Sequence, residues 1–452
     1  MKKILVQFCL SLFAVAAFGQ AGTVMQGVGA VNMSMGGAAT AMPLDISGAL
    51  QWNPAAISSF DKTIIKLDIG LFFSSPELSS SIPADMMFPG SPPVSGTTLD
   101  DRGISPMPAL GMVWGKEDSK HTFGASVFGI SGFGVTFPQE TNLPMDAQGN
   151  PNPNWDPNNS NPISYPQNMN GFGLIESDYM LLQVGFTYAY EISDKLSIGL
   201  EPTFNYATLM LKPNSTSSPS LAGYPNTDKT TTTGFGGQIG VYYNSGNGFK
   251  AGAAYKTEQV FGDLEFENTY LDGSTSTNNF KMNYPAIISV GLGYSLETFD
   301  IAVDYRFVDY KNTDGFGESG WTQTASVAGF GWENINIISA GIQYKGIEKL
   351  PIRVGYTYSS NPITEELAFF SVSAPAVVNN AFQLGLSFIA GENLSIDAMY
   401  HHGSSDETTG SLLSPLAIDP VNNPLGALPG TSVSYKMATD LIMVGASYTF
   451  NQ

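Results

Sequence analysis

Cysteine is almost missing from this chain: the one example, Cys9, lies inside an N-terminal apolar stretch. Lys2 and Lys3, the apolar run Ile4–Phe18 and the small residues Ala17 and Gly19 have the layout of a secretory signal peptide, with cleavage expected near Gln20. Cys9 sits too early in that layout to carry a lipid anchor. The mature chain therefore has no disulfide, no thiolate nucleophile and no cysteine-held metal. Charge is scarce as well, at 13% of residues, and its balance is −20. A nucleic-acid partner needs a basic stripe, which this composition excludes. Past residue 19 no run of about eighteen apolar residues occurs, so no transmembrane helix is expected. Gly-Xaa-Ser-Xaa-Gly, Walker and paired His-Glu motifs are all lacking. Only His121, His401 and His402 exist, and neighbouring strand residues such as His401 and His402 point to opposite faces. Asp272-Gly273-Ser274 lacks the full ligand spacing of a Ca²⁺ loop. No enzyme, metal or cofactor is expected.

What the chain does have is glycine, 49 residues, with aromatics at 12% and an apolar share of 42%. Such a composition suits strands and turns and is too apolar for disorder. Two exported classes remain, a secreted β-protein and an outer-membrane β-barrel. Dyad alternation favours the barrel over a soluble sandwich. Ile65, Leu67, Ile69, Leu71 and Phe73 share one face, with Lys66, Asp68 and Gly70 opposite; the same alternation runs through Leu182–Tyr190, Phe299–Phe307, Ile352–Tyr358 and Phe382–Phe388. Strands are predicted at 63–73, 106–115, 121–137, 178–190, 196–212, 232–244, 249–260, 281–295, 299–309, 334–344, 350–359, 377–389, 394–402 and 433–450. Six short connections alternate with seven long Pro/Asn/Ser/Gly-rich ones, which is the pattern of periplasmic turns and extracellular loops. The expected fold is all-β, a 14-stranded antiparallel transmembrane barrel with both termini on the periplasmic side.

Before the first strand lies Gly27–Phe60, nearly half Gly, Ala and Ser, with Asp45 its only charge. It shows neither a helical stripe nor strand alternation. Asn53-Pro54-Ala55-Ala56 is its one crisp signal, a cap residue followed by Pro at the first helical position. A compact segment of small residues placed there suits packing inside the barrel as a plug. The expected organisation is 1–19 signal peptide, 20–61 plug and 62–452 barrel. On the strands, the alternation puts Lys66, Arg306 and Arg353 on the inner face. There they could meet a carboxylate, or pair with Asp68, Asp304 and Asp397. Glycines Gly129, Gly132 and Gly134, with Phe133 between them, interrupt the third strand and predict a bulge or bend, or simply relieve crowding. Met86-Met87-Phe88-Pro89 and Leu174-Ile175 put apolar groups into loops, either to meet apolar ligands or to pack loops together. The last strand closes on Tyr448 and Phe450, a pattern suited to outer-membrane assembly machinery and needed in any case to remove an open edge.

With Asn53-Pro54-Ala55 ahead of fourteen strands, Tyr284-Pro285-Ala286-Ile287-Ile288-Ser289-Val290-Gly291, Asp304-Tyr305-Arg306, and Pro351–Tyr358 leading to Asn361-Pro362, the mature chain resembles the FadL/TodX group of outer-membrane long-chain fatty-acid and aromatic-hydrocarbon transporters. The resemblance implies a lumen closed by an N-terminal hatch with Asn53, Pro54 and Ala55 as its gate. It implies capture of a hydrophobic small molecule between extracellular loops and lateral exit through a gap at the third-strand kink, Gly129–Gly134. The gate's partner would then be that kink. Surrounding outer-membrane lipid and lipopolysaccharide in a Gram-negative cell, and the barrel assembly machinery, are the further partners expected. A structural or adhesive barrel without a transported substrate is the alternative.

Overall fold

The structure is a computed structural model that describes residues 20–146, 148–375 and 377–451, so the leader read over 1–19 lies outside it. Fourteen strands succeed one another around a closed antiparallel sheet. In chain order they are β1 Thr63–Ile82, β2 Ile104–Trp114, β3 His121–Phe137, β4 Ile175–Ser193, β5 Leu196–Lys212, β6 Thr230–Asn244 and β7 Phe249–Lys256. The circuit continues with β8 Ala286–Ser295, β9 Phe299–Asp309, β10 Ile335–Tyr344, β11 Ile352–Ser359, β12 Asn380–Ile389, β13 Leu394–Ser404 and β14 Ser432–Thr449. Each strand pairs with its sequence neighbours, and β14 closes on β1 from Ser432↔Ser81 to Thr449↔Ile64. The last strand thus closes on the first, as an apolar surround favours.

The alternation has the expected physical basis. Ile65, Leu67, Ile69 and Leu71 are exposed on the outer face, while Lys66 and Asp68 between them are buried. Aromatic pairs flank the turn end of the barrel, such as Tyr243–Phe249, Phe299–Tyr344 and Tyr448–Phe450, with ring centroids 6.5, 5.1 and 5.0 Å apart. Such rings mark the interfacial girdle of a membrane barrel.

Three boundaries differ by about four residues or more from those expected of the sequence. β1 runs nine residues past Phe73, to Ile82, because its Ser-rich end pairs with β14 and with the short strand Val94–Leu99. β7 stops at Lys256, where Gln259 turns inward and bonds Thr203 and Asn205. The expected loop 261–280 contains the hairpin Leu264–Thr269 with Thr275–Phe280, so β8 starts at Ala286 rather than 281.

The N-terminal segment lies against the inner faces of strands on all sides. From Gly22 to Ile57 every residue is buried except Leu44 and Asp45, which are half-buried. It folds as α1 Ala30–Ser34, α2 Ile46–Trp52 and a 3₁₀ turn Pro54–Ser59. Asp45 caps α2 by accepting from Gly48 N at 3.0 Å. Asn53 Oδ1 accepts from Ala55 N at 3.1 Å, while its Nδ2 donates to Thr40 O and to Val241 O at 2.8 and 3.0 Å. Gly36 and Gly37 have φ of 69° and 80°, a left-handed turn open to glycine at no steric cost.

The wall makes room for this segment with glycines of its own. A Cβ at Gly199 would overlap Ala55 N, one at Gly240 would overlap Asn53 Oδ1, and one at Gly252 would overlap Thr40 O. Gly199, Gly240 and Ala254 stand side by side in register across β5, β6 and β7. On the outer face the same small row floors an apolar trough of about 650 Å³ between Ile198, Leu200, Ile239 and Val241. The trough faces away from the lumen.

Two carboxylates hold the segment's backbone. Asp68 accepts from Ala30 N at 2.9 Å, and Asp304 accepts from Ala39 N, Thr40 N and Thr40 Oγ1 at 2.9, 2.9 and 2.7 Å. Asp304→Ala leaves Ala39 N, Thr40 N and Thr40 Oγ1 without their acceptor and Arg306 without its carboxylate, so the segment should lose about 3–5 kcal/mol of anchoring. Amide exchange at Ala39 and Thr40 should then speed up while the barrel amides stay protected; unchanged exchange would remove Asp304 from this role. Gly252→Val should displace the segment through steric overlap, at about 1–3 kcal/mol. Limited proteolysis within 27–60, with the barrel itself still resistant, is the expected readout.

Candidate functional site

The third strand departs from regular pairing where glycine interrupts it. Gly129 pairs with Leu182 but Ser131 pairs with Leu181, so Ile130 is an extra residue, a β-bulge. Gly132, Phe133 and Gly134 then pair normally with Met180, Tyr179 and Asp178, which confines the irregularity to Gly129–Ser131. Such a bulge bends its strand and re-aims the residues beyond it. Here the bend is inward: Ile130, Ser131, Gly132 and Phe133 are all buried, and Ser131 pairs with Val24 of the short N-terminal strand Val24–Met25.

The other side of β3 loses its partner. Pairing with β2 ends at Ala109↔Phe128 and backbone contact resumes only where Asp101 N donates to Thr136 O at 2.9 Å. Between these points Ile104–Pro108 and Gly129–Val135 share no backbone bond among the described residues. Pro106 and Pro108 carry no N–H, so an open seam leaves two fewer donors unsatisfied there. Beyond this unpaired stretch, Asp100 Oδ1 accepts from Thr136 N at 2.6 Å, and burial raises the carboxyl of Asp100 above its ordinary range. Arg102 covers Gly134, donating to Ser177 O and Asp178 Oδ1 at 2.6 and 3.0 Å.

Aromatic side chains run from this unpaired stretch towards the loop end. Phe133 stacks near Tyr179 and Phe330, with centroids 5.0 and 5.8 Å away, and Phe330 continues to Trp332 and Tyr310. Higher up, Phe172, Tyr224, Trp321, Phe369 and Phe370 from four connections, with Ile175 at the start of β4, line a cavity of about 30 Å³. That is room for about one water, so a larger guest requires the loops to part. Leu174 and the pair Met86 and Phe88 are exposed instead of lining it.

The N-terminal strand crosses the lumen at this level. While Val24 pairs with Ser131, the amides of Thr23 and Val24 donate to Tyr310 Oη at 2.8 and 3.2 Å. Asn53, Pro54 and Ala55 lie elsewhere, against the glycines of β5–β7. The residue that meets the kink is therefore Val24, in place of the gate expected from the sequence.

Each of the three inner cations named from the sequence has partners on the protein. Lys66 Nζ lies 2.6 Å from Asp397, 3.1 Å from Asp45 and 3.8 Å from Asp68. Arg306 Nη2 bonds Asp304 and Gly37 O at 2.8 and 2.6 Å, and its guanidinium sits 3.7 Å over the Trp52 ring. Arg353 differs from the acid pairing expected of it: its Nε and Nη2 meet Gln343 and Ser387 at 2.7 and 2.8 Å. Pro106, Pro108, Val24 and the wall glycines carry no expectation in the sequence reading; the two prolines inside an alternating strand are the signal that could have found the seam.

A family model described as outer membrane protein transport protein (OMPP1/FadL/TodX) matches residues 169–450. No curated protein matches the chain. Among solved structures, the Pseudomonas putida toluene transporter TodX superposes with a TM-score of 0.65 at 17% identity, over 94% of this chain and 99% of its own. A Pseudomonas aeruginosa FadL homologue reaches 0.68 at 14% identity, over 95% and 100%. The Ralstonia pickettii toluene transporter TbuX gives 0.61 at 17%, over 94% and 99%. At such identities the superpositions speak for the shared barrel, while the match over residues 169–450 carries the relationship itself: this chain belongs to the outer membrane transport protein family of OMPP1, FadL and TodX.

Proposed function

We propose that the protein takes up hydrophobic molecules passively across the outer membrane of a Gram-negative cell and releases them sideways through the wall. The observation that carries this reading is the opening between β2 and β3, bounded by Ala109↔Phe128 and by Asp101–Thr136. An apolar solute gains nothing from a watery pore but gains by leaving directly into lipid. The path runs from the loop cavity at Phe172 and Trp321, past Phe133 and Phe330, to the bulge at Ile130. Aromatic hydrocarbons, carried by the toluene transporters TodX and TbuX, and long-chain fatty acids are the leading substrate classes. No chemistry on the substrate belongs to this reading.

In the same reading residues 20–61 act as a hatch, supported by their burial and by their bonds to Asp68 and Asp304. Asn53, Pro54 and Ala55 pin that hatch to β5–β7, and Lys66, Arg306 and Arg353 serve the fastening through internal partners. Outer-membrane lipid and lipopolysaccharide surround the apolar belt, and the assembly machinery reads the aromatic end of β14.

Deleting Gly27–Phe60 should turn a closed barrel into a conducting one in planar bilayers; an unchanged, closed trace would overturn the hatch. Deleting Ile130 brings β3 into one continuous register with β4, which should shut the lateral opening. Toluene and oleate uptake into cells relying on this protein should then fall to the level of the deletion strain. Full uptake by a folded Ile130 deletion would refute the lateral route, and no uptake by the intact protein would favour a structural or adhesive barrel.

A further inference from the structure

Beyond the unpaired stretch, three consecutive residues ahead of β2 grip the two strands that follow it. Asp100 Oδ1 takes Thr136 N, Asp101 N meets Thr136 O, and Asp100 Oδ2 accepts from Arg102 N at 3.3 Å. Arg102 reaches further than its neighbours. Its guanidinium passes over Gly134 of β3 and donates to Ser177 O and Asp178 Oδ1 of β4. Asp178 Oδ2 is held in turn by Lys229 Nζ at 2.5 Å, from the connection ahead of β6. A chain of polar links thus runs from the start of β2 across β3 to β4 and on towards β6.

This crossing lies on the outer face. Phe133 and Val135 are buried on the inner side, as are Ser177 and Tyr179, so Gly134 and its register partner Asp178 face outwards. Gly134 has to be small there, because a Cβ would overlap the Arg102 guanidinium. Fully exposed ion pairs contribute little, but the Arg102 and Asp178 side chains are only 14% and 23% exposed. The fork also bonds a main-chain carbonyl, a geometry that arginine holds better than lysine. Its place matters more than its strength. Arg102 covers β3 next to Phe133, where the aromatic path arrives, and leaves Gly129–Gly132 free of a charged cover.

We infer that Arg102 is a positioning residue of the lateral route, a strap that shuts the loop end of the break between β2 and β3 and so limits solute size. Slim solutes such as toluene pass beside Gly129–Gly132 with the strap in place. Bulkier ones pass only when it lifts. The inference rests on the reading that hydrophobic molecules leave between β2 and β3.

Uptake of toluene and of the bulkier tri-tert-butylbenzene is measured in cells relying on this protein, with the deletion strain subtracted. Arg102→Gln removes the fork, and Gly134→Ala displaces the same guanidinium without changing any charge. Losing two charge-assisted bonds should raise the lifted population about tenfold. The ratio of bulky to slim uptake should rise by that factor in both variants, with toluene unchanged. A double variant, Arg102→Cys with Asp178→Cys, makes the test reversible, since Cys9 of the expected leader is the chain's only native cysteine. A short reducible cross-linker should return its ratio to the parental value, and reduction should raise it again, which a folding defect would not do. An unchanged ratio in Arg102→Gln and Gly134→Ala overturns the strap. So does a fall in toluene uptake by folded Arg102→Gln, because the arginine would then support the exit instead of narrowing it. If the intact protein takes up no toluene, it is the uptake reading that fails.

Discussion

A peptide chain placed inside a barrel must find partners for its own N–H groups, and here two wall carboxylates supply them. Asp68 takes Ala30 N at the start of α1, and Asp304 takes Ala39 N and Thr40 N beyond the glycine turn. Buried carboxylates in turn need positive neighbours, which explains why Lys66 and Arg306 stand two residues away on the same faces. Lys66 ties Asp68 and Asp397 of the wall to Asp45 of the segment. Arg306 reaches Gly37 O and covers Trp52. These inner charges thus form a fastening between two parts of the chain.

Glycine in the wall is the steric counterpart of that fastening. Small residues in the segment alone would not bring its backbone against β-strands; the strands must also lack side chains at the same height. Gly199, Gly240 and Gly252 do this on one side, and Gly355, where a Cβ would overlap Gly36 N, does it on another. The result is contact without deep interdigitation, in contrast with the interlocked packing of an ordinary core. The outer trough over β5–β7 is a by-product of the same small row.

Most of the barrel was legible because lipid and lumen impose opposite demands on alternate residues. β3, β5 and β9 begin and end where the alternation begins and ends. Where another force holds a strand, the pattern goes silent. Residues 74–82 are held by pairing and by serine contacts such as Ser79–Thr97 and Ser81–Ser432, and the hairpin at 264–280 is rich in Asn and Thr. The site was legible only in part. Interrupting glycines pointed to the bulge, but which of them bends the strand depends on pairing with β4, and the partner at Val24 depends on a fold-wide crossing of the lumen. Asp45, visible as the lone charge in its segment, gave no sign of Lys66, because that contact joins residues brought together only by closure.

Bulge, opening and crossing strand are one unit in energetic terms. An extra residue at Ile130 turns the Ser131 backbone away from β2, which strips both strands of partners at an apolar surface. That arrangement is tolerable only if the displaced groups are satisfied elsewhere. Val24 meets Ser131 from inside, Tyr310 holds Thr23 and Val24 from the opposite wall, and prolines at 106 and 108 lower the number of donors stranded on β2. Removing any one of these leaves the others with unsatisfied polar groups, so the opening persists only while the N-terminal strand stays in place. The break in pairing between β2 and β3 is in this way stabilised by the same demand for backbone hydrogen bonds that elsewhere forces the barrel to close.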